Sequence, residues 1–266
     1  MVADSENDNV VVLNNTEGRG ALIAGNPLAV GDRPFNAILV DLDGDGDNDI
    51  ATSNANDGTT SIFFNLDGAG TYGARQDFAA GSNPTDVQAG DLDGDGDLDL
   101  VLTDFAGGKC VILSNSDGDF STATELSVGT NPRALALGDL DSDGNLDIAV
   151  VDLAAEELVV LIGDGTGSFT ETARATTGRS PRDVRLGDID GDGRLDIVVP
   201  NSDNSNISVY LNLNGNGTLD TVLGYGTGQT PVSVTLSDVD SDGDLDFLSA
   251  NRNGQSVTLI RNRACP

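Results

Sequence analysis

The chain has 266 residues, with 34 glycines and no histidine or tryptophan, and its 44 acidic and 13 basic side chains leave a formal charge of −31. That charge repels nucleic acid and anionic membrane surfaces and excludes both as partners. No apolar run approaches the ~20 residues of a membrane-spanning helix, so no membrane insertion is expected.

Short Val/Ile/Leu segments between Gly, Asp and Asn turns indicate an all-β chain. In chain order, Val10–Leu13 reads as a strand, and residues 17–31 have the pattern of the last strand of a repeat. From residue 31 the chain repeats itself in units 31–80, 81–128, 129–177, 178–227 and 228–261. Each unit opens on Gly-x-x-Pro, at Gly31–Pro34, Gly81–Pro84, Gly129–Pro132, Gly178–Pro181 and Gly228–Pro231. Strand A follows, with apolar residues two apart: Ala37/Leu39, Val87/Ala89, Leu135/Leu137, Val184/Leu186, Val234/Leu236. That period is the mark of a strand with one buried face. An acidic loop separates it from strand B, whose apolar run is continuous, as in Leu100–Leu102 and Ile197–Val199. Strand C comes after a short variable loop, at Ser61–Phe64, Val111–Leu113, Leu158–Ile162, Ile207–Leu211 and Val257–Ile260. A polar turn then starts strand D, with Tyr72, Phe120, Phe169 or Leu219 near its head.

Four antiparallel strands in about 49 residues match one propeller blade. Residues 1–266 are therefore read as a single all-β domain, a β-propeller of four-stranded antiparallel blades, five in number. Residues 10–30 supply closing strands that complete the last blade and remove an open edge. Three arrangements stay open. The N-terminal strand is surplus, or the last blade takes two strands from each end, or the chain is a piece of a longer array. Of the two cysteines, Cys110 reads as a small buried hydrophobe and Cys265 as a tail residue, with a bridge between them the lesser alternative.

The A–B loops carry the chemistry. Five nonapeptides read Asp-apolar-Asp-x-Asp-Gly-x-x-Asp and begin at Asp41, Asp91, Asp139, Asp188 and Asp238. Positions 1, 3, 5 and 9 are always aspartate: Asp41, Asp43, Asp45 and Asp49; Asp91, Asp93, Asp95 and Asp99; Asp139, Asp141, Asp143 and Asp147; Asp188, Asp190, Asp192 and Asp196; Asp238, Asp240, Asp242 and Asp246. Calcium wants 6–8 oxygen ligands, and carboxylates spaced two apart converge when the chain curls around an ion. Glycine at position 6 permits the bend. Position 7 varies (Asp47, Asp97, Asn145, Arg194, Asp244), as suits a residue that offers only its backbone carbonyl. Without an ion each loop would crowd four or five carboxylates together. About five calcium ions per chain are expected, which would bring the charge from −31 to −21. There is no Glu at position 12, and strands flank the loop where an EF-hand has helices.

This pattern, at its repeat of about 50 residues and with its Gly-x-x-Pro turn, resembles the FG-GAP/VCBS repeat, the calcium-binding blade of integrin-α-type propellers and of many secreted bacterial proteins. The resemblance covers residues 17–261. It implies calcium in the A–B loops and partner binding on the opposite face, built from the D–A and B–C connections. Five motifs depart from the seven blades of integrin-type propellers.

With no histidine and no serine or cysteine in a nucleophile elbow, the chain is expected to be non-catalytic. The function read from the sequence is a recognition or adhesion scaffold, secreted or on the cell surface and monomeric. Its partner is a protein or glycan bound at the variable B–C loops (Ala55–Gly58, Ala106–Gly108, Ala154–Glu156, Asp203–Ser205, Asn253–Gln255). Arg33, Arg133, Arg179, Arg182 and Arg252 map to that face, where they receive an acidic ligand or offset local carboxylates. The alternatives are a lectin, disfavoured with only Tyr72, Tyr210 and Tyr225 as polar aromatics, and a structural segment of a larger surface protein.

Overall fold

The computed structural model describes residues 1–15, 22–219 and 221–263, and every regular element among them is a β-strand. Five short strands come first: β1 (Val2–Asp4), β2 (Asn9–Val11), β3 (Leu13–Asn15), β4 (Leu22–Ala24) and β5 (Leu28–Ala29). Four sheets of one pattern follow. They are β6 (Pro34–Val40), β7 (Asp49–Asn54), β8 (Thr59–Phe63) and β9 (Gln76–Ala79); β10 (Pro84–Gly90), β11 (Asp99–Asp104), β12 (Lys109–Ser116) and β13 (Asp119–Ser127); β14 (Pro132–Gly138), β15 (Asp147–Asp152), β16 (Glu157–Gly163) and β17 (Phe169–Thr176); and β18 (Arg185–Gly187), β19 (Asp196–Asn201), β20 (Asn206–Leu211) and β21 (Thr221–Gly226). Each is a four-stranded antiparallel meander in the order A-B-C-D. The last sheet is three-stranded: β22 (Pro231–Ser237), β23 (Asp246–Asn251) and β24 (Ser256–Ile260).

The chain forms two compact units, residues 1–91 with 95–127, and residues 92–94 with 128–266. Within the first, Ala51 and Ile62 pack with Val87, Leu100 and Leu102 of the next sheet. Ile50 and Phe63, on the other face of the same sheet, pack with Val10 and Val30. Both faces are covered, which is why strand B is apolar without alternation and buried at all six residues of β7, β11, β15 and β19. In the second unit Val151, Leu158 and Val160 meet Val184, Val199 and Tyr210, and Val198, Ile207 and Val209 meet Val234 and Phe247. Each such Val, Leu, Ile or Phe side chain contributes roughly 1.5–3 kcal/mol on burial.

The Gly-x-x-Pro turn has two separate causes. Proline lacks a donor and stands first in an edge strand, where a bulge follows it in β6, β10, β14 and β22. The glycine makes room for a polar side chain at the end of strand B. A Cβ on Gly31 would lie 2.7 Å from Asn54 Nδ2, and one on Gly228 2.7 Å from Asn251 Nδ2.

The expected closure is corrected. The N-terminal strands pair with one another, β1-β2-β5 and β3-β4, and among the described residues none joins the sheet of β24. The reason is local. Residues 1–11 form a B–C hairpin of their own, and Ala3, Val10 and Leu28 bury against the first four-stranded sheet. Residues 17–21 of the expected strand at 17–31 lie outside the described residues, and its described part, β4 and β5, is the fourth-strand equivalent in the N-terminal strands. Cys110 is fully buried with a free thiol that burial pushes up to about 12, while Cys265 lies outside the described residues.

Candidate metal centres

Each acidic nonapeptide folds as a bend whose carboxylates first organise its own backbone. The position-1 carboxylate accepts from the glycine N–H at position 6: Gly46 to Asp41 at 2.9 Å, Gly96 to Asp91 at 3.2 Å, Gly144 to Asp139 at 3.0 Å, Gly193 to Asp188 at 3.0 Å and Gly243 to Asp238 at 3.1 Å. Those glycines have φ between +85° and +98°, a conformation that side-chain-bearing residues rarely adopt. The position-5 carboxylate accepts from the N–H at position 7, as in Asp47 to Asp45 at 2.8 Å and Arg194 to Asp192 at 2.9 Å.

Position 9 opens strand B and is fully or almost fully buried in all five loops. Its two oxygens take different donors. Oδ2 accepts from the N–H at position 2 (Leu42 to Asp49 at 2.8 Å, Leu140 to Asp147 at 2.6 Å, Ile189 to Asp196 at 2.9 Å, Val239 to Asp246 at 3.0 Å). Oδ1 accepts from the N–H sixteen residues further on, at the end of strand C (Asn65, Asn115, Gly163, Asn212 and Asn262, at 2.7–2.9 Å). This aspartate therefore ties loop, strand B and strand C together.

Five clusters result, in each of which three carboxylate oxygens lie within 4.8 Å of one another. They are Asp41/Asp43/Asp45, Asp91/Asp93/Asp95, Asp139/Asp141/Asp147, Asp188/Asp190/Asp196 and Asp238/Asp240/Asp246. The first two draw on positions 1, 3 and 5, the other three on positions 1, 3 and 9. Asp49, Asp99, Asp143, Asp192 and Asp242 stand in the same loops outside these triads. The position-7 side chains have varied partners: Asp97 accepts from the Asp117 N–H at 3.2 Å, Asn145 donates to the position-5 carboxylate of Asp143, and Arg194 reaches the Asn212 carbonyl and the position-5 carboxylate of Asp192. Asp244 donates its N–H to Asp242 at 3.1 Å.

The electrostatics show what such a cluster lacks. Burial, opposed by the backbone donors and aided by neighbouring carboxylates, raises the carboxyls of Asp49 and Asp196 and takes Asp147 up to about 6. Asp43, Asp141 and Asp240 are raised by burial and by the acids beside them. Donors that are all oxygen, anionic and convergent fit a hard divalent cation. Five triads can hold metal ions.

Sequence reading missed two polar positions. One is the asparagine ending strand C, which bolts a sheet to the preceding loop: Asn115 Nδ2 donates to the Leu42 carbonyl at 2.8 Å, Asn212 to Leu140 at 2.6 Å and Asn262 to Ile189 at 2.6 Å. Its constant offset of sixteen from position 9 was available as a signal. The other is the residue ending strand B, which anchors the turns at the opposite end of the sheet: Asn54, Asp104, Asp152, Asn201 and Asn251, all buried. Near these lie the expected arginines. Arg33 donates its N–H to Asp8, Arg252 donates its N–H to the Thr230 carbonyl, and Arg179 pairs with Glu156 at 3.8 Å. Arg182 Nε is buried with no partner among the described residues, and Arg133 is the second residue of β14.

The sequence pattern of the FG-GAP-like repeat matches the chain at residues 41–102, 91–150, 152–199 and 188–249. The chain belongs to the FG-GAP-like repeat family. No curated protein matches it by sequence. Solved structures similar to this FG-GAP-like chain include a protein of Bacteroides uniformis, provisionally named a 6-phosphogluconolactonase. Its identity is 18% and its TM-score 0.76, over 98% of this chain and 76% of that one. A Bacteroides fragilis protein with the same provisional name has 17% identity and a TM-score of 0.63, over 96% and 76%. A lectin of Agrocybe aegerita that recognises non-reducing terminal N-acetylglucosamine has 18% identity and a TM-score of 0.59, over 96% and 75%. At such identities the likeness shows the fold, an all-β propeller of four-stranded antiparallel blades. It also corrects the expectation of a non-catalytic protein: the fold is shared with proteins named as enzymes, so the lack of histidine does not exclude catalysis. Among the described residues no helix is long and apolar enough to cross a membrane.

Proposed function

We propose that this FG-GAP-like chain is a calcium-stabilised recognition scaffold, working outside the cell or at its surface, that binds a protein ligand through the turns at the end of the sheets opposite the acidic loops. One observation carries the reading. Six B–C turns, at residues 5–8, 55–58, 105–108, 153–156, 202–205 and 252–255, have the same length and six different sequences. Their last residue is left-handed each time, as Asp8, Gly58, Gly108, Glu156, Ser205 and Gln255, with φ from +46° to +70°. A constant frame with variable side chains is how a scaffold displays a binding surface.

Calcium would be held by the aspartates at positions 1, 3, 5 and 9 and by the position-7 carbonyl. It supplies charge neutralisation to loops that otherwise hold raised carboxyls, and it holds strand B against strand A. Millimolar calcium outside cells suits open, strongly anionic sites of this kind. A glycan ligand is the second reading, favoured only by the fold shared with the Agrocybe lectin.

The test has two arms. Calcium counted per chain after gel filtration should be about five, as the number of triads requires. Chains carrying serine across the 153–156 and 202–205 turns should keep that calcium and lose ligand captured from an extracellular protein array, with a glycan array in parallel. A chain that binds calcium and whose captured ligands are untouched by the turn substitutions would overturn the recognition face.

A further inference from the structure

Two separate lines of hydrogen bonds run from one acidic loop to the next. In each, the residue at position 2 of a loop is held at both ends. Its N–H donates to the position-9 carboxylate of its own loop, and its carbonyl accepts from the side chain of the asparagine that ends a later strand C. The main-chain N–H of that asparagine donates to the position-9 carboxylate of the following loop. Asp49, Leu42, Asn115 and Asp99 are joined in this way, at 2.8 Å for every bond. Asp147, Leu140, Asn212 and Asp196 are joined at 2.6, 2.6 and 2.9 Å. From Asp196 the line continues through Ile189 and Asn262 to Asp246, at 2.9, 2.6 and 2.9 Å. Each line lies within one of the two compact units.

The second line stops at the loop of Asp139. There strand C ends on Gly163, whose N–H donates to Asp147 at 2.8 Å but which has no side-chain amide to pass the line on. A Cβ on Gly163 would collide with the Leu146 carbonyl oxygen and lie 2.9 Å from Phe169 Cε1, so the position is shaped for glycine. A main-chain bond does reach the Leu92 carbonyl of the loop before, from Gly167 at 3.0 Å. The same bond recurs from Gly217 to Leu140, at 3.2 Å, alongside the Asn212 amide, so it is not what the asparagines add.

We propose that calcium binding is cooperative in two groups, the loops of Asp41 and Asp91 together and the loops of Asp139, Asp188 and Asp238 together. Asn115, Asn212 and Asn262 are the positioning residues, each for the loop before its own, and Gly163 is the break. This rests on the calcium reading above and adds which sites fill together. Position 2 lies between the ligands at positions 1 and 3, so holding both its ends holds the curl on which their convergence depends. An ion in one loop fixes that loop's position-9 aspartate and with it the main chain of the asparagine. The amide then keeps the preceding loop curled before its own ion arrives. Ordering completed for the first ion is not repeated for the second, and the linkage is reciprocal. Asp147, Asp196 and Asp246 are themselves triad members, whereas Asp49 and Asp99 stand outside theirs, so the coupling is stronger in the second group.

The probe is calcium, titrated into the chelator-treated whole chain carrying isotope-labelled glycine for NMR. In every loop the glycine at position 6 donates to the position-1 carboxylate, so the amide signals of Gly46, Gly96, Gly144, Gly193 and Gly243 report the five sites separately. In the unsubstituted chain Gly144, Gly193 and Gly243 should share a midpoint with a Hill coefficient above unity, and Gly46 should titrate with Gly96. Asn212→Ala keeps the main-chain bond to Asp196 and removes only the amide. It should raise the Gly144 midpoint about fivefold or more, bring its Hill coefficient to unity and leave Gly46 and Gly96 unmoved. Two exposed ligand positions decide the matter even if Asn212→Ala unfolds. Asp240→Asn should raise the Gly193 midpoint by a similar factor, and Asp95→Asn should raise that of Gly46 but not that of Gly144. Five signals that titrate independently in the unsubstituted chain, or a Gly193 midpoint indifferent to Asp240→Asn, would overturn the coupling and leave the calcium reading standing. A Gly144 midpoint raised by Asp95→Asn would overturn the break at Gly163. No response of any of these glycines to calcium would remove the coupling and the calcium reading together.

Discussion

Strand β15 carries an aspartate at each end, Asp147 and Asp152, both fully buried. Their surroundings differ. Asp152 accepts from four backbone N–H groups, those of Thr130, Asn131, Ala154 and Ala155, and these donors supply what the buried charge requires. Asp147 has two such donors and faces Asp139 and Asp141, and burial, with those acids adding to it, raises its carboxyl to about 6. One buried acid is completed by the main chain, and the other, on the proposed reading, by a cation from solution. Burial alone does not tell a structural carboxylate from a metal ligand; the balance of donors and like charges does.

The strand-B end also shows two solutions to one problem. Where it is asparagine, strand C offers polar partners: Asn54 donates to Thr59 and Ser61, Asn201 to Asn206 and Ser208, and Asn251 to Ser256 and Thr258. Where it is Asp104 or Asp152, strand C has Val111 or Val159 in place of the second hydroxyl and the turn donates instead. Side chain and partner change together, so the position is set by hydrogen-bond complementarity and not by charge.

Removing calcium should have the largest effect. Each site with free calcium at 100 times its Kd adds about 2.7 kcal/mol, and a domain of this size shifts by about 2–4 °C per kcal/mol. Chelation should therefore lower Tm by more than about 10 °C in a scanning-calorimetry pair, if most of the sites are filled. An unchanged Tm would mean that the triads do not need an ion.

Asp147→Asn and Asp152→Asn test the comparison directly. The first should lower bound calcium by one ion per chain, measured by elemental analysis, and cost about 3 kcal/mol in calcium. The second should leave the count unchanged yet cost about 2 kcal/mol, because an amide nitrogen then faces backbone donors. Adding Val159→Ser to Asp152→Asn should recover part of that loss by recreating the Asn201–Ser208 pairing. Equal calcium counts in the two single variants would break the distinction.

The pH dependence is the smallest effect. In chelator the folded Asp147 carboxyl titrates near 6 and the unfolded one near the ordinary aspartate value, so between them the folded chain holds the extra proton. Stability of the calcium-free chain should therefore fall as pH rises from about 4 to 7, read as urea midpoints. With saturating calcium the slope should reverse, since protons then compete with the ion for the same oxygens.

Much of this was legible in sequence because repetition amplifies weak local signals. One Asp-Gly loop says little, but five at a constant interval specify a curled anionic bend, and alternation in strand A specifies a buried face. The position-9 aspartate was readable as a candidate ligand; its hydrogen bond sixteen residues away, to the end of strand C, was not, since it depends on strand pairing. The sequence by itself determined the strand order within each sheet and that carboxylates gather in each acidic loop, because both follow from contacts within about 50 residues, while which three oxygens converge, positions 1, 3 and 5 or positions 1, 3 and 9, was decided by the folded loop. Only the tertiary structure decided that strands β1 to β5 pair among themselves, that Asn115 and Asn212 hold loops 72–73 residues away, and that Asn54 and Asp152 do the same work with opposite polarity. Those outcomes depend on which edges and faces remain to be covered once the sheets have formed, a property of packing that no local pattern carries.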